Sequence, residues 1–303
     1  MSPTLFEVDV NARQRALQLF GRTEEAANED ADTIKQWIKT QPHLPEAMED
    51  PKIRNFLILN KHSVEKTKQK IDMYYTIRSL LPDMYEDSNP SSPKMRLFMD
   101  ATCCCVHPKA VDGIYRVYFL KPKKPNKLAP RELGMQCGNI SEVRLYEDCM
   151  VGDIIVFDMT NVTAADLTKV TPSLLVKLIS IYEKIYSLRV KVAYAINSPS
   201  FVVTLTGLLK SILKPKIFSR VKVCQGSEVL REIFTEDELP RDYGGEGPSL
   251  EELNEMMKAK LDQYRNRFDQ LDVLRVDERL RPQKLDNDDV LGFYGNFKKL
   301  NVD

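Results

Sequence analysis

The chain has 303 residues, 43% hydrophobic and 29% charged, a composition that excludes a disordered chain and fits one large or two smaller globular domains. Lys+Arg and Asp+Glu are balanced at 44 each, so the formal charge of zero argues against a general nucleic-acid binder and leaves room only for a local basic patch. Three His and one Trp leave little material for metal or histidine chemistry.

The N-terminal stretch MSPTLFEVDVNARQRALQLF lacks the continuous apolar stretch of a secretory signal. No run of about 18 uncharged apolar residues is present to cross a bilayer as a helix. Both readings predict a cytoplasmic protein in which Cys103, Cys104, Cys105, Cys137, Cys149 and Cys224 stay reduced. Glu24–Thr40 is predicted helical, with Ala26, Ala27, Ala31, Ile34, Trp37 and Ile38 at helical spacings. Asp50 followed by Pro51 reads as an N-cap with proline at the first helical position, opening a helix that buries Ile53, Phe56, Leu57 and Leu59. Ser63 opens another, carrying Val64, Thr67, Ile71, Tyr74, Tyr75 and Ile77 and stopping near Pro82. The first 85 residues thus form a helical module, and Asp87–Pro93 is a turn-rich linker.

Tyr115–Leu120 is a predicted strand and Lys121–Lys127 a basic loop. A helix is expected from Glu142 toward Val151. Asp153–Met159 reads as a buried parallel strand closing on Asp158. Thr163–Ile185 is helical, with Pro172 able to start a second piece; Val190–Ile196 is a strand, Ser198–Leu213 an apolar helix and Arg220–Val223 a short strand. This alternation predicts crossover units and a largely parallel sheet. Leu250, Leu253, Met257, Leu261, Tyr264, Phe268 and Leu271 define one long amphipathic helix.

Catalytic motifs are missing. No phosphate-cradling glycine loop, HExxH or HxH zinc motif, CxxC pair or GxSxG elbow occurs. His43, His62 and His107 stand in loop-like or helix-start contexts and read as surface residues. Cys103–Cys105 read as small apolar side chains of a core segment, with a reactive cluster as the alternative. Asp158 reads as a cap for the following turn; a catalytic role at a strand end is the alternative, without a histidine or metal partner to support it. Residues 157–212 hold a surplus of large apolar side chains, which is either a generous core or the lining of a ligand cavity. Arg189 and Lys191 alternate in a strand entry, and Lys214, Lys216, Arg220 and Lys222 follow the apolar helix. They form either a solvated surface or a seat for an anionic membrane.

The segments IIVFDMTNVT (154–163), LTKVTPSLLVKLISIYEKIYSLRVKVAYAINSPSFV (167–202), LKSILKPKIFSRVKV (209–223) and LPRDYGG (239–245) resemble, in order and at family-like distances, the CRAL-TRIO lipid-binding domain. Residues 56–82 resemble the helical domain that precedes it in that family. The resemblance implies an α/β fold: an N-terminal helical domain (1–90), then a mixed, largely parallel sheet with covering helices enclosing a lipid pocket (91–246), then a C-terminal helical extension (247–303). It places Phe157, Val170, Leu178, Ile181, Tyr182, Tyr186, Leu188 and Val190 on the pocket lining, with Gln136, Asn139 and Cys137 either anchoring a polar group of the ligand or facing solvent. Phe201, Val202, Leu205, Leu208, Leu209 and Ile212 fall on a gate helix. Arg189, Lys191, Lys216 and Arg220 fall on positions similar to those that hold a phosphoinositide.

The sequence departs from the family where "IHxIN" is replaced by Ala193–Asn197 and where the arginines of "FLRAR" are replaced by Phe56–Asn60, which weakens any basic contribution from the helical module. The loop Lys121–Lys127 is a possible second basic contact. The implied function is that of a non-enzymatic, monomeric, cytoplasmic carrier without cofactor or metal. It would bind a small hydrophobic lipid such as a retinoid, tocopherol or carotenoid and exchange it at phosphoinositide-containing membranes through peripheral association. The alternatives are a phosphoinositide-recruited signalling or trafficking adaptor and a phospholipid transfer protein.

Overall fold

A computed structural model describes residues 5–187 and 189–283. The chain opens with α1 (Ala12–Leu19), α2 (Glu24–Lys39), α3 (Asp50–Leu59), α4 (Val64–Leu80) and α5 (Pro82–Tyr85). The Thr23 hydroxyl accepts from the Ala26 amide and starts α2. The cap expected at Asp50 lies one residue earlier, at Glu49. Asp50 is already helical, and its carboxylate is drawn sideways to Lys35 and Arg54 instead of back to the amides. Ile34, Ile53, Phe56, Ile71 and Ile77 are fully buried between these helices.

Two elements follow that the sequence reading left unassigned. Ser92 caps α6 (Pro93–Ala101), which runs directly into β1 (Thr102–Val106). The Cys103–Cys105 run is the middle of this strand and is buried on both faces. Then come β2 (Tyr115–Pro122), α7 (Pro130–Glu147), β3 (Gly152–Asp158), α8 (Ala164–Leu167), α9 (Pro172–Ile181) with a π-helical turn at Tyr182–Tyr186, β4 (Val190–Ile196), α10 (Val202–Ile212), α11 (Pro215–Phe218) and β5 (Val221–Val223). The helix expected near Glu142 begins twelve residues earlier, at Pro130, and ends at Glu147. The sheet order is β1-β2-β3-β4-β5; β1 is antiparallel to β2 and the remaining pairs are parallel, as the alternation of strands and helices predicts. Asp153 pairs with Val190 and Ile154 with Val192, so Lys191 is the extra residue of a β-bulge.

The expected long C-terminal helix is two helices, α12 (Leu250–Gln263) and α13 (Arg265–Val273), separated at Tyr264. A Ser249–Glu252 capping box starts α12, which lies across β1. The bend at Tyr264 directs Arg267 to Glu142 and Glu46, at 3.0 and 2.7 Å. Glu142 also accepts from Lys52 at 2.9 Å and from the Tyr74 hydroxyl at 2.8 Å. One buried ionic seam therefore ties α3, α4, α7 and α13 together. The three histidines are buried, not on the surface. His43 lies 3.1 Å from Asp72, His62 lies 3.1 Å from Asp30, and the His107 ring bridges the Lys109 amide and the Glu238 carbonyl.

Candidate ligand cavity and basic groove

Side chains alternate across a strand, so the two faces of β3 meet different environments. Ile154 and Val156 are buried in the core, whereas Asp153, Ile155 and Phe157 point to the other face, where they line a cavity of about 370 Å³. Tyr118 and Leu120, in register with Ile155 and Phe157, extend this floor onto β2. The walls come from Leu133, Gly134, Cys137 and Ser141 on α7, Leu175 and Leu178 on α9, Tyr182 and Tyr186 on the π turn, and Leu205 and Leu209 on α10. Met159, Val162, Leu167 and Val170 close the side. A Cβ at Gly134 would sit 2.2 Å from the Leu178 Cδ2 atom, so glycine permits the close approach of α7 and α9. The volume falls in the range of small-molecule sites.

Polar groups gather at one end. The Tyr118 ring lies over the floor, and its hydroxyl accepts from Arg144 Nη1 at 2.9 Å; the same nitrogen donates to Asp153 Oδ1 at 2.6 Å. Arg144 is fully buried and also donates to Asp148 at 2.8 Å, which Arg116 meets from the far side at 2.7 Å. Burial pushes the Asp148 carboxyl up, but the two guanidinium groups outweigh it and hold it at about 2. Asp153, with Arg144 alone beside it, is instead raised by burial. The Tyr182 hydroxyl donates to the Gly134 carbonyl at 2.6 Å, which ties the π turn to α7.

A second hollow, of about 990 Å³, lies on the other side of Leu59 and Arg189, which line both. Its walls carry Lys61, Lys66, Arg189, Lys191, Lys214, Lys216 and Arg220 against a single acidic side chain, Glu183. Two of these cations are partly neutralised: Lys191 pairs with Asp112 at 2.6 Å and Lys214 with Glu183 at 2.8 Å. Arg189 stacks over Phe20 at 4.7 Å and donates to the Val151 carbonyl. Lys61, Lys66 and Lys216 have no acidic partner among the described residues.

Residues 135–245 match the family model described as the CRAL/TRIO domain, over the helices and strands that build the cavity. The chain carries a CRAL-TRIO domain. Residues 23–95 match a second model, described as a Pinta-like UBA domain. Alpha-tocopherol transfer protein-like of Homo sapiens is 22% identical over 252 residues, covering 79% of this chain and 72% of its own. The Mus musculus protein of that name is 21% identical over 235 residues, covering 73% and 66%. Among solved structures, Sfh5 aligns with a TM-score of 0.47 at 12% identity, covering 85% of this chain and 98% of that one. CRAL-TRIO proteins form a family of lipid-binding transfer proteins, and the mixed α/β architecture here is that of the family.

Within this CRAL-TRIO domain, Phe157, Val170, Leu178, Tyr182 and Tyr186 line the cavity, as do Leu205 and Leu209 of the expected gate helix. Ile181 is buried in the main core instead, because the α9 face it occupies turns inward, and Val190 lies on the groove side of β4. Leu188 lies outside the described residues. Phe201 and Val202 pack with Leu128, Met159 and Val162 at one edge of the cavity, and Leu208 and Ile212 are half-buried without lining it. Gln136 and Asn139 neither line the cavity nor face solvent. They lie on the opposite face of α7, where Asn139 donates to the Ser88 carbonyl at 2.9 Å and to Gln136 at 3.3 Å. Cys137 lines the cavity, 3.8 Å from Cys104.

The four cations expected to act together, Arg189, Lys191, Lys216 and Arg220, stand in one groove. Lys61 and Lys66 join them, so the helical module does contribute charge although Phe56–Asn60 lacks the family's arginines. Lys121 and Lys123 are committed to Asp158 and Glu251, at 2.9 and 2.7 Å, so of that loop's lysines only Lys124 and Lys127 are exposed. Asp158 caps the turn as expected, accepting from the Thr160 amide and also from Asn197, Tyr243 and Lys121. Two cavity residues that sequence reasoning missed are Tyr118 and Asp153. The signal was present as strand alternation: Tyr118 faces Ile155, and Asp153 shares the face of Ile155 and Phe157.

Proposed function

We propose that this protein is a non-enzymatic, monomeric lipid carrier that holds one hydrophobic molecule in the cavity and exchanges it at phosphoinositide-containing membranes. The observation that carries the reading is the pairing of an almost wholly apolar cavity with a cationic groove across a shared wall of Leu59 and Arg189. Removing apolar surface from water supplies roughly 25 cal/mol per Å², which favours occupancy before ordering costs are subtracted. Each cation near an anionic surface adds roughly 1 kcal/mol. α10 is the gate: Leu205 and Leu209 face the cavity while Gly207, Lys210 and Ser211 face out, so rotating it outward would expose the ligand to acyl chains.

Retinoids, tocopherols and carotenoids are the candidate ligands; of these, the name borne by the relatives mentions alpha-tocopherol alone. No helix among the described residues is long and apolar enough to cross a membrane. The cationic groove is the element through which a cytoplasmic protein would associate peripherally. The working division of the chain is a helical domain at 1–90, a lipid-binding domain at 91–246 and a helical extension at 247–303, of which residues 1–4 and 284–303 lie outside the described residues. Native mass spectrometry of the purified protein, followed by solvent extraction, tests the reading. A lipid retained in the gas phase and released on denaturation is expected. A lipid-free protein that also takes up neither labelled retinol nor labelled tocopherol would overturn it.

A further inference from the structure

The cysteine run of β1 and the cavity wall meet at one contact that lipid carriage does not use. Cys103 reaches the Glu251 carboxylate at 3.9 Å and Cys105 the Leu250 carbonyl at 4.0 Å, both on α12. Alternation along the strand turns Cys104 to the opposite face, on which its register partner Leu120 lines the cavity. There the Cys104 sulfur lies 3.8 Å from that of Cys137 on α7. Cys104 is 1% exposed and closed off from solvent, whereas Cys137 is half-buried and borders the cavity. A cysteine used as small apolar filler needs only carbon around it. These two place sulfur against sulfur at the edge of an unfilled space, one behind the other.

A disulfide needs its sulfurs about 2.05 Å apart, so each of these has less than about 1 Å to travel. We propose that Cys104 and Cys137 are a redox pair, which a hydroperoxide entering through the cavity oxidises to a disulfide that pins α7 to β1. The Cys137 sulfur attacks the terminal oxygen of the hydroperoxide and the O–O bond breaks. This gives the Cys137 sulfenic acid and an alcohol, the thiol proton passing to the leaving oxygen. The Cys104 sulfur then displaces the sulfenic hydroxyl, which leaves with the Cys104 proton as water, and the S–S bond forms. One hydroperoxide is reduced to alcohol and water while two thiols are oxidised to one disulfide. Burial pushes the Cys104 thiol up, which suits the second role: it stays protonated beside the sulfur that reacts first. The route to Cys137 is apolar, so an oxidant with a hydrocarbon body has the advantage over hydrogen peroxide. The pairing goes beyond the carrier reading and does not depend on what the cavity holds.

The test incubates the full chain with cumene hydroperoxide or hydrogen peroxide, blocks the remaining thiols with iodoacetamide and maps the tryptic peptides by fragmentation mass spectrometry. The expected product is a peptide linked through Cys104 and Cys137, with a loss of about 2 Da from the intact chain. Each rate is divided by that of the same oxidant on N-acetylcysteine. On that scale cumene hydroperoxide should react about 10-fold faster than hydrogen peroxide, the gain from burying its hydrocarbon part in the cavity. Cys104→Ala should stop the reaction at the Cys137 sulfenic acid, trapped as a dimedone adduct, and Cys137→Ala should leave Cys104 a free thiol. No linked peptide, a link to a different cysteine, or a normalised ratio near one overturns the inference. A retained lipid covering Cys137 slows both oxidants without changing the product, and a chain that native mass spectrometry finds lipid-free leaves the inference standing. Should Cys104→Ala fail to fold, the wild-type peptide map and rate ratio still decide.

Discussion

The two faces of α7 treat buried space in opposite ways. One face, with Leu133, Gly134, Cys137 and Ser141, borders a volume that the protein's own side chains leave unfilled. The other carries Gln136, Asn139 and Glu142 into polar contacts that are filled and closed, above all the Glu142 seam with Lys52, Tyr74 and Arg267. A buried ion is held by specific partners and leaves a large penalty when one is removed. An apolar wall facing a void has no such partner to lose. The comparison teaches that one helix can separate the part of the molecule that must not change from the part that must accept a guest.

The strongest way to break this contrast is Glu142→Ala. It strands Lys52 and Arg267 without their shared carboxylate, and a loss of about 3–5 kcal/mol in chemical denaturation is expected; a loss under about 1 kcal/mol would remove the seam from the structural account. Acid sharpens the same point. Burial raises the Glu142 carboxyl, but Lys52 and Arg267 more than compensate and depress it from 4.5 to about 2. A depressed carboxyl contributes stability that is complete above its unfolded value and is lost as pH falls through its folded value. Denaturation free energy should therefore decline between about pH 4.5 and about pH 2, and Glu142→Gln should flatten that decline; identical slopes would assign the acid limb to other groups.

The groove is the next largest effect. Charge reversal of Lys216 and Arg220 together should weaken sedimentation with phosphoinositide-containing vesicles by at least about 2 kcal/mol, roughly 30-fold or more. Retention of the cavity lipid is read in parallel by native mass spectrometry, and an equal loss of both would contradict two separate sites. The smallest expected change in stability comes from Leu178→Trp, which inserts an indole into the void at the wall it shares with Gly134. Stability should stay within about 1 kcal/mol while lipid retention is lost, because no native side chain is displaced. A large destabilisation would show that Leu178 is ordinary core.

Much of the fold was legible, and the illegible parts share a cause. β3 and β4 announced themselves through runs of β-branched residues, and α9 through its Thr171–Pro172 start, where the Thr171 hydroxyl accepts from the Leu174 amide. β1 was missed because Cys103–Cys105 carry no strand propensity to speak of and are buried on both faces, which erases alternation. The first three turns of α7 were missed because Gly134 and Gly138 lower helix propensity. At Gly134 the missing side chain is also what lets α9 close on the cavity. The break at Tyr264 left no mark, since the apolar spacing continues across it in Phe268 and Leu271. The buried histidines were misjudged because their carboxylate partners, Asp72 and Asp30, lie 29 and 32 residues away in sequence. In the cavity, the apolar surplus of α9 and α10 was visible, whereas the polar corner joins residues 118, 144 and 153 through a contact that no linear pattern displays.

The strand order carries a practical consequence. The segment matching the CRAL/TRIO family model begins at residue 135, yet β1 and β2 lie upstream of it and shield one flank of β3. A fragment beginning there would bare the β3 backbone amides and carbonyls along a long, hydrophobic margin, an open template for other chains. It would also lose half of the cavity floor, since Tyr118 and Leu120 belong to β2. Such a fragment should self-associate and precipitate, so the smallest autonomous unit of this protein is larger than the region by which its kinship is recognised.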